Sequence, residues 1–254
     1  MTQGIAMAAF LFVTDLDHTL VGNDLAMAQL NGQLDAHRRQ HGTTIVYSTG
    51  RSLTSYRQLK AEKPLLDPDI LIVSVGTEIY LANSDSPDLT WAEVLSVNWD
   101  RDQVVAIANQ FDLTPQPTSE QRPFKVSYFL AAAIAVELLP KLQAILDAKG
   151  LEAQVVYSGG KDLDILPCRA NKGKALTFVR EHLDISPDRT VACGDSGNDL
   201  SMFCDRAERG IVVGNAMPEL LTWHHANPSS TRYLAKKSCA GGILEGLHYF
   251  GFLP

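Results

Sequence analysis

The 254-residue chain has no run of lysine and arginine: its 22 basic residues are scattered among 29 acidic ones, for a formal net charge of −7. That balance excludes nucleic acid or an anionic membrane as a partner drawn by the overall field, so an anionic ligand must be held by a few local cations. Cysteine is scarce. Cys168, Cys193, Cys204 and Cys239 make no C-x-x-C pair and show no metal-ligand spacing with histidine, which excludes a disulfide framework and a thiolate zinc site and points to a reduced, cytoplasmic protein. No apolar stretch approaches the length of a membrane span. The opening MTQGIAMAAFLFV carries no basic n-region and no cleavage-like site ahead of TDLDHT, so a secretory leader is not expected. Residues 1–6 read as a loose tail, with Met7 as an alternative start. Internal repeats and low-complexity tracts are absent as well, which leaves a globular chain long enough for one large domain or two modest ones.

What is present is a rhythm. FLFVTDLDHTL (10–20) opens as an apolar strand, the stretch 25–42 spaces Leu25, Leu30 and Leu34 along one helical face before Gly42, and TTIVYSTGRS (43–52) reads as a second strand with a polar end. A helix over 53–62 and a strand with a following hairpin over 68–81 continue it. Strand alternating with helix predicts a parallel, doubly wound, Rossmann-like α/β core. The rhythm breaks near residue 85. A helix over 101–111, a proline-rich loop (113–123) and the alternating strand FKVSYFL (124–130) come next. A helix over 138–150 follows, with Pro140 in its first turn or at a kink, and then two strands joined by Gly159 and Gly160. From Asn171 the α/β pattern resumes: helix 172–183, strand 189–199, helix 199–207, strand 210–216, then helices over 218–225 and 240–250. The expected organisation is a core of residues 1–84 and 168–254, interrupted by an inserted α+β cap of residues 85–167.

Four polar stretches terminate or follow core strands: DLDHT (15–19), STGRS (48–52), NKGKA (171–175) and GDSGND (194–199). In a parallel sheet three of them share one edge, where open α/β folds bind ligands. Other readings fail on spacing. An EF-hand loop counted from Asp15 needs Gly at its sixth position and Glu at its twelfth, but these are Leu20 and Ala26. A phosphate loop with Gly173 and Lys174 as its G-K pair needs Gly where Cys168 stands. A carboxylate can attack phosphorus and form an acyl phosphate, yet a phosphate dianion beside a carboxylate at 4 Å faces about 4 kcal/mol of repulsion per pair of unit charges at an effective dielectric near 20. Counter-charge is therefore compulsory, and Lys172 is one source.

Taken together, the four stretches resemble the four motifs of the haloacid dehalogenase superfamily of phosphatases, over nearly the whole chain, with a cap inserted as in its α/β-cap class. Within that class GKDLDILP, KVSY, VGTEIY and AGGILEGLHYF are most similar to the sucrose-phosphate phosphatases of cyanobacteria and plants. The resemblance implies a Mg²⁺-dependent hydrolysis of sucrose 6-phosphate through an aspartyl phosphate. It makes Asp15 the nucleophile, Asp17 the acid and base, Thr49 and Gly50 phosphate donors, and Lys172 the counter-charge. It also implies that Mg²⁺ is held by Asp15, by the Asp17 backbone carbonyl and by Asp195, with Asp199 in or near its outer shell. Asn198 is a further candidate for substrate contact. On the cap side, Lys161, Asp162, Lys125 and Ser127 are candidate sugar contacts, with Glu78 at the hinge. The synthase that makes the substrate is implied as a partner. A phosphatase or phosphomutase for another sugar phosphate, of trehalose or mannosyl type, and a non-catalytic sugar-phosphate sensor stay open on the residues alone. His18 and Arg51 receive no chemical role, though Arg51 is placed to orient its loop.

Overall fold

The computed structural model describes residues 9–82 and 84–254; the expected tail and the Met7 start lie outside them. Eleven strands among these residues form two sheets. The larger has seven strands in the order β11-β10-β9-β1-β2-β3-β4, namely Arg232–Leu234, Arg209–Val212, Thr190–Gly194, Leu11–Thr14, Thr44–Ser48, Ile70–Val73 and Glu78–Leu81. All neighbours are parallel except β3 and β4, which form the expected hairpin. The smaller sheet is antiparallel throughout, in the order β5-β6-β8-β7: Thr114–Pro115, Val126–Phe129, Asp162–Pro167 and Ala153–Ser158.

The strand β1 explains its own composition. Phe10 and Phe12 enter one core with α1 (Asp24–His41), α2 (Leu53–Glu62) and α8 (Cys239–Tyr249), while Leu11 and Val13 enter the other with α6 (Lys172–His182) and α7 (Pro218–Ala226). A central parallel strand buried on both faces must be apolar without alternation. A third core lies under the small sheet, where α4 (Arg101–Ala108) and α5 (Ala132–Ala148) cover Val126, Tyr128, Leu163 and Ile165.

Several elements differ from expectation. Helix α3 (Leu89–Ser96) was not foreseen; Asp88 caps it by accepting the Trp91 N–H at 2.8 Å, and Trp91 and Leu95 pack beneath the large sheet. Helix α5 starts at Ala132, six residues before the expected Leu138, because the alanine-rich stretch 131–135 extends it, so Pro140 is interior rather than in the first turn. Helix α4 stops at Ala108, three residues early. The expected helix over 199–207 is instead a 3-10 turn, Gly197–Met202, and the edge strands β5 and β11 are additions. No helix among the described residues is long and apolar enough to cross a membrane.

Candidate active site

The register of the large sheet assembles the site. Thr14 pairs with Tyr47 on one side and Cys193 on the other, so the next residues of three strands, Asp15, Ser48–Thr49 and Gly194–Asp195, emerge along one edge. The Asp15 N–H donates to the Cys193 carbonyl at 3.0 Å and fixes the turn. Helix α6 brings the fourth component. Asn171 is its N-cap, accepting the Lys174 N–H at 2.7 Å, which makes Lys172 the first helical residue.

The Lys172 ammonium is fully buried and lies 2.6 Å from both Asp15 Oδ1 and Asp199 Oδ1. The other oxygen of Asp199 accepts the backbone N–H of Asp195 at 2.9 Å and of Ser196 at 3.0 Å. Asp195 accepts the Thr19 hydroxyl at 2.8 Å. Oxygens of Asp15, Asp195 and Asp199 all lie within 4.8 Å of one another. Burial lifts the Asp15 carboxyl well above its ordinary range, Asp199 and Asp195 push the same way, and Lys172 pulls it back. Burial, then Asp199, lifts Asp195 to about 6. Burial alone would lower the Lys172 ammonium, but Asp15 and Asp199 outweigh it and keep the lysine charged. Three carboxylates against one ammonium leave two negative charges in a buried space, a donor set of hard oxygens that suits a divalent cation. Asp15, Asp195 and Asp199 thus form a buried triad that could hold a metal ion; the Asp17 side chain is outside it.

The Asp17 side chain turns elsewhere. Both its oxygens accept from Arg51, Oδ2 from Nε at 2.7 Å and Oδ1 from a terminal nitrogen at 2.8 Å, and Arg51 also donates to the Ser55 hydroxyl at 3.0 Å. The hydrogen bond to Asp17 raises the Arg51 guanidinium above its ordinary range. Thr49 is buried, its hydroxyl accepting the Arg51 N–H at 3.2 Å.

A cavity of about 660 Å³ separates this edge from the small sheet. Asp15, Asp17, Gly50, Asp195 and Asn198 line it from the core, and Lys125, Lys161 and Asp162 from the cap. Lys172, Thr49 and Asp199 stand behind that lining. Two of the expected sugar contacts are placed away from the cavity wall. Glu78 is buried, gripped by Arg122 at 2.6 Å and by the Tyr80 hydroxyl at 2.8 Å. Ser127 is also buried and donates to Asp164 at 2.6 Å. Burial raises the Asp162 carboxyl, and Gln116 donates to it at 3.0 Å. Gln116, Glu120, Ser158 and His18 line the cavity without having been anticipated. The first two sit in the proline-rich loop, whose sequence carries no periodicity to say which residues face inward; His18, at φ 59°, lies inside a recognised motif and was given no role.

Comparison with known proteins agrees with this geometry. Residues 8–251 match the family described as sucrose-6F-phosphate phosphohydrolase. Sucrose-phosphatase 1 of Nicotiana tabacum is 40% identical over 264 residues, covering 100% of this chain and 62% of the relative. Probable sucrose-phosphatase 2 of Arabidopsis thaliana is 42% identical over 254 residues, covering 96% of this chain and 60% of the relative. The chain therefore spans about three fifths of these plant relatives. The crystal structure of the sucrose-phosphatase from Synechocystis sp. PCC6803, in complex with sucrose and phosphate, superposes with a TM-score of 0.90 at 40% identity, over 98% of this chain and 100% of that one. With an inserted antiparallel cap over a doubly wound core, a buried aspartate triad and a match from residue 8 to residue 251, the chain belongs to the sucrose-6F-phosphate phosphohydrolase family.

Proposed function

We propose that the chain hydrolyses sucrose 6-phosphate to sucrose and phosphate through an aspartyl phosphate on Asp15. The observation that carries this reading is full-length likeness to a phosphatase whose crystals hold sucrose and phosphate. Asp15 attacks phosphorus with one carboxylate oxygen, the bond from phosphorus to the sugar oxygen breaks, and Asp17 gives that oxygen a proton as sucrose leaves. Asp17, now a carboxylate, takes a proton from water as the water oxygen attacks the acyl phosphate; inorganic phosphate departs and Asp15 is regenerated. Mg²⁺ fits the triad, with Asp15, Asp195 and the Asp17 carbonyl to hold it and Asp199 fixing Asp195 from behind; when bound it supplies positive charge against the phosphate dianion. Lys172 neutralises Asp15 and a phosphoryl oxygen as charge spreads over them. Thr49 accepts the Arg51 N–H on its hydroxyl oxygen, which orients the loop and leaves its O–H, with the Gly50 N–H, to donate to phosphate.

The cap supplies discrimination. Lys161 and Asp162 face the cavity and match the hydroxyl-rich end of a disaccharide, and a buried polar group left without a partner penalises any analogue lacking the right hydroxyl. A cytoplasmic setting, which the four free cysteines support, and a partnership with the synthase that makes the substrate belong to the same reading. The test is phosphate release with Mg²⁺ from sucrose, trehalose, fructose and glucose 6-phosphates. Preference for sucrose 6-phosphate, lost in Asp15→Asn, is the expected result. Activity centred on another sugar keeps the chemistry and discards the substrate, and transfer of the phosphoryl group back to a sugar makes the chain a mutase.

A further inference from the structure

The loop that follows β2 is gripped from the cap by two side chains. Glu120, in the short 3-10 turn Thr118–Glu120, accepts the Ser52 hydroxyl on Oε1 at 2.8 Å and the Ser52 N–H on Oε2 at 3.2 Å. Lys125, one residue before β6, donates to the Gly50 carbonyl at 3.2 Å and stands 3.4 Å from Glu120 and 3.5 Å from Asp164. Both side chains are substantially buried, Lys125 at 3% exposure and Glu120 at 16%. Ser52 is also the N-cap of α2, accepting the Ser55 N–H, so the Glu120 carboxylate sits where free N–H groups and the helix dipole favour an anion.

Arg51 is the residue between these two anchor points, and it holds both oxygens of Asp17 in a fork. A chain of hydrogen bonds thus runs from the cap through Glu120 to Ser52, along the backbone to Arg51, and on to Asp17. Arg51 occupies one lone pair on each Asp17 oxygen, and with 42% of that side chain exposed, and with Asp17 on the cavity wall, the remaining lone pairs are open to a ligand. Glu120 accepts from Ser52 on both oxygens and from Lys125 on one of them, and at 16% exposure, against 42% for Asp17, it offers a sugar little free surface.

We propose that Glu120 is a positioning residue: by fastening the cap to Ser52 it fixes Arg51 and, through Arg51, the carboxyl of Asp17 beside the departing sugar oxygen. Proton donation is then complete only with the cap docked. This rests on the reading of Asp17 as the proton donor in sugar-phosphate hydrolysis.

The test compares kcat/KM, which reports steps up to leaving-group departure, for sucrose 6-phosphate and 4-nitrophenyl phosphate in the wild-type protein and in Glu120→Gln. The nitrophenolate leaves as an anion and needs no proton. Since a positioned proton donor contributes about 10²–10⁴ in rate, the variant should lose roughly ten-fold or more on sucrose 6-phosphate. The aryl ester should be almost unaffected, and sucrose should inhibit both proteins with the same constant. Equal losses on both substrates overturn the proposal in favour of a merely structural contact. Weaker inhibition by sucrose, in step with the lost kcat/KM, overturns it in favour of direct sugar binding. If Gln at this position prevents folding, Ser52→Ala, which removes the hydroxyl that Glu120 accepts, is judged by the same pattern. Failure of the underlying reading shows separately, in a wild-type protein inactive on sucrose 6-phosphate; the comparison is then made with whichever sugar phosphate it does cleave.

Discussion

Lys172 is the residue on which the charge balance of the site turns. Its ammonium has no exposed surface and two carboxylate partners at 2.6 Å. Removing one member of a buried ionic set leaves the others uncompensated, at about 3–5 kcal/mol. Lys172→Met should therefore lower the unfolding free energy of chelated protein, read from a urea titration, by that order, and Mg²⁺ should restore part of the loss by replacing the missing charge. A midpoint unchanged from wild type would mean that the triad carries its charge some other way. At this scale the sequence was informative wherever function needs a particular residue type at a fixed spacing: Asp15, Lys172, Asp195 and Asp199 are brought together. It was silent on partnerships. Arg51 meets Asp17 across 34 positions, and Arg122 meets Glu78 across 44. No local pattern encodes either pair, because both depend on how β1, β2 and the cap come to rest against one another.

Elements carry the site by close approach. An added Cβ at Gly194, the last residue of β9, would fall 2.5 Å from the Cβ of Asp199 and 2.7 Å from its Oδ2, the oxygen that accepts the Asp195 and Ser196 N–H groups. Gly194→Ala should displace the 3-10 turn Gly197–Met202 while leaving β9 paired. A disturbed supporting partner typically costs 10–100-fold in metal affinity, so the Mg²⁺ concentration for half-maximal activity should rise by that factor. An unchanged Mg²⁺ requirement would show that Asp199 does not support the metal site. The same closeness explains what the sequence withheld about the fold. Core strands were legible because burial on both faces demands unbroken apolar runs, and α1 because Leu30 and Leu34 share its buried face and Gly42 ends it, although Leu25, expected on that face, is exposed. Helix α3 was not, since its signals were one capping aspartate and two buried side chains, Trp91 and Leu95, within eight residues. Strand β11 is three half-buried residues on the sheet edge, whose pairing with β10 comes from tertiary placement. The turn at 197–202 carries the poor helix formers Gly197, Asn198, Asp199 and Ser201, and it keeps 3-10 geometry where Ser196 and Asp199 bond each other in a capping box.

For the whole molecule, the site's surplus of negative charge couples stability to both proton and metal. Burial first, and Asp199 next, raise Asp195 to about 6, and Asp15 is raised in the same direction. A raised carboxyl pKa means that the folded protein holds the proton more tightly than the unfolded chain, so chelated protein loses stability as pH climbs from about 4 to about 6. For Asp195 alone, at 1.36 kcal/mol per pH unit, the loss is on the order of 3 kcal/mol. A divalent cation competes for the same oxygens and binds the deprotonated form. The gain in melting temperature from Mg²⁺ over chelator should therefore be small at pH 4.5, grow through pH 6 and level off above it. At saturating metal the plateau is several degrees, since a domain of this size shifts about 2–4 °C per kcal/mol. Thermal scans at four or five pH values in each condition decide it. A metal-dependent gain that stays flat from pH 4.5 to pH 7 would place the cation somewhere other than among Asp15, Asp195 and Asp199. A gain that follows the predicted window makes the buried triad both the cation's seat and the source of the chelated protein's instability.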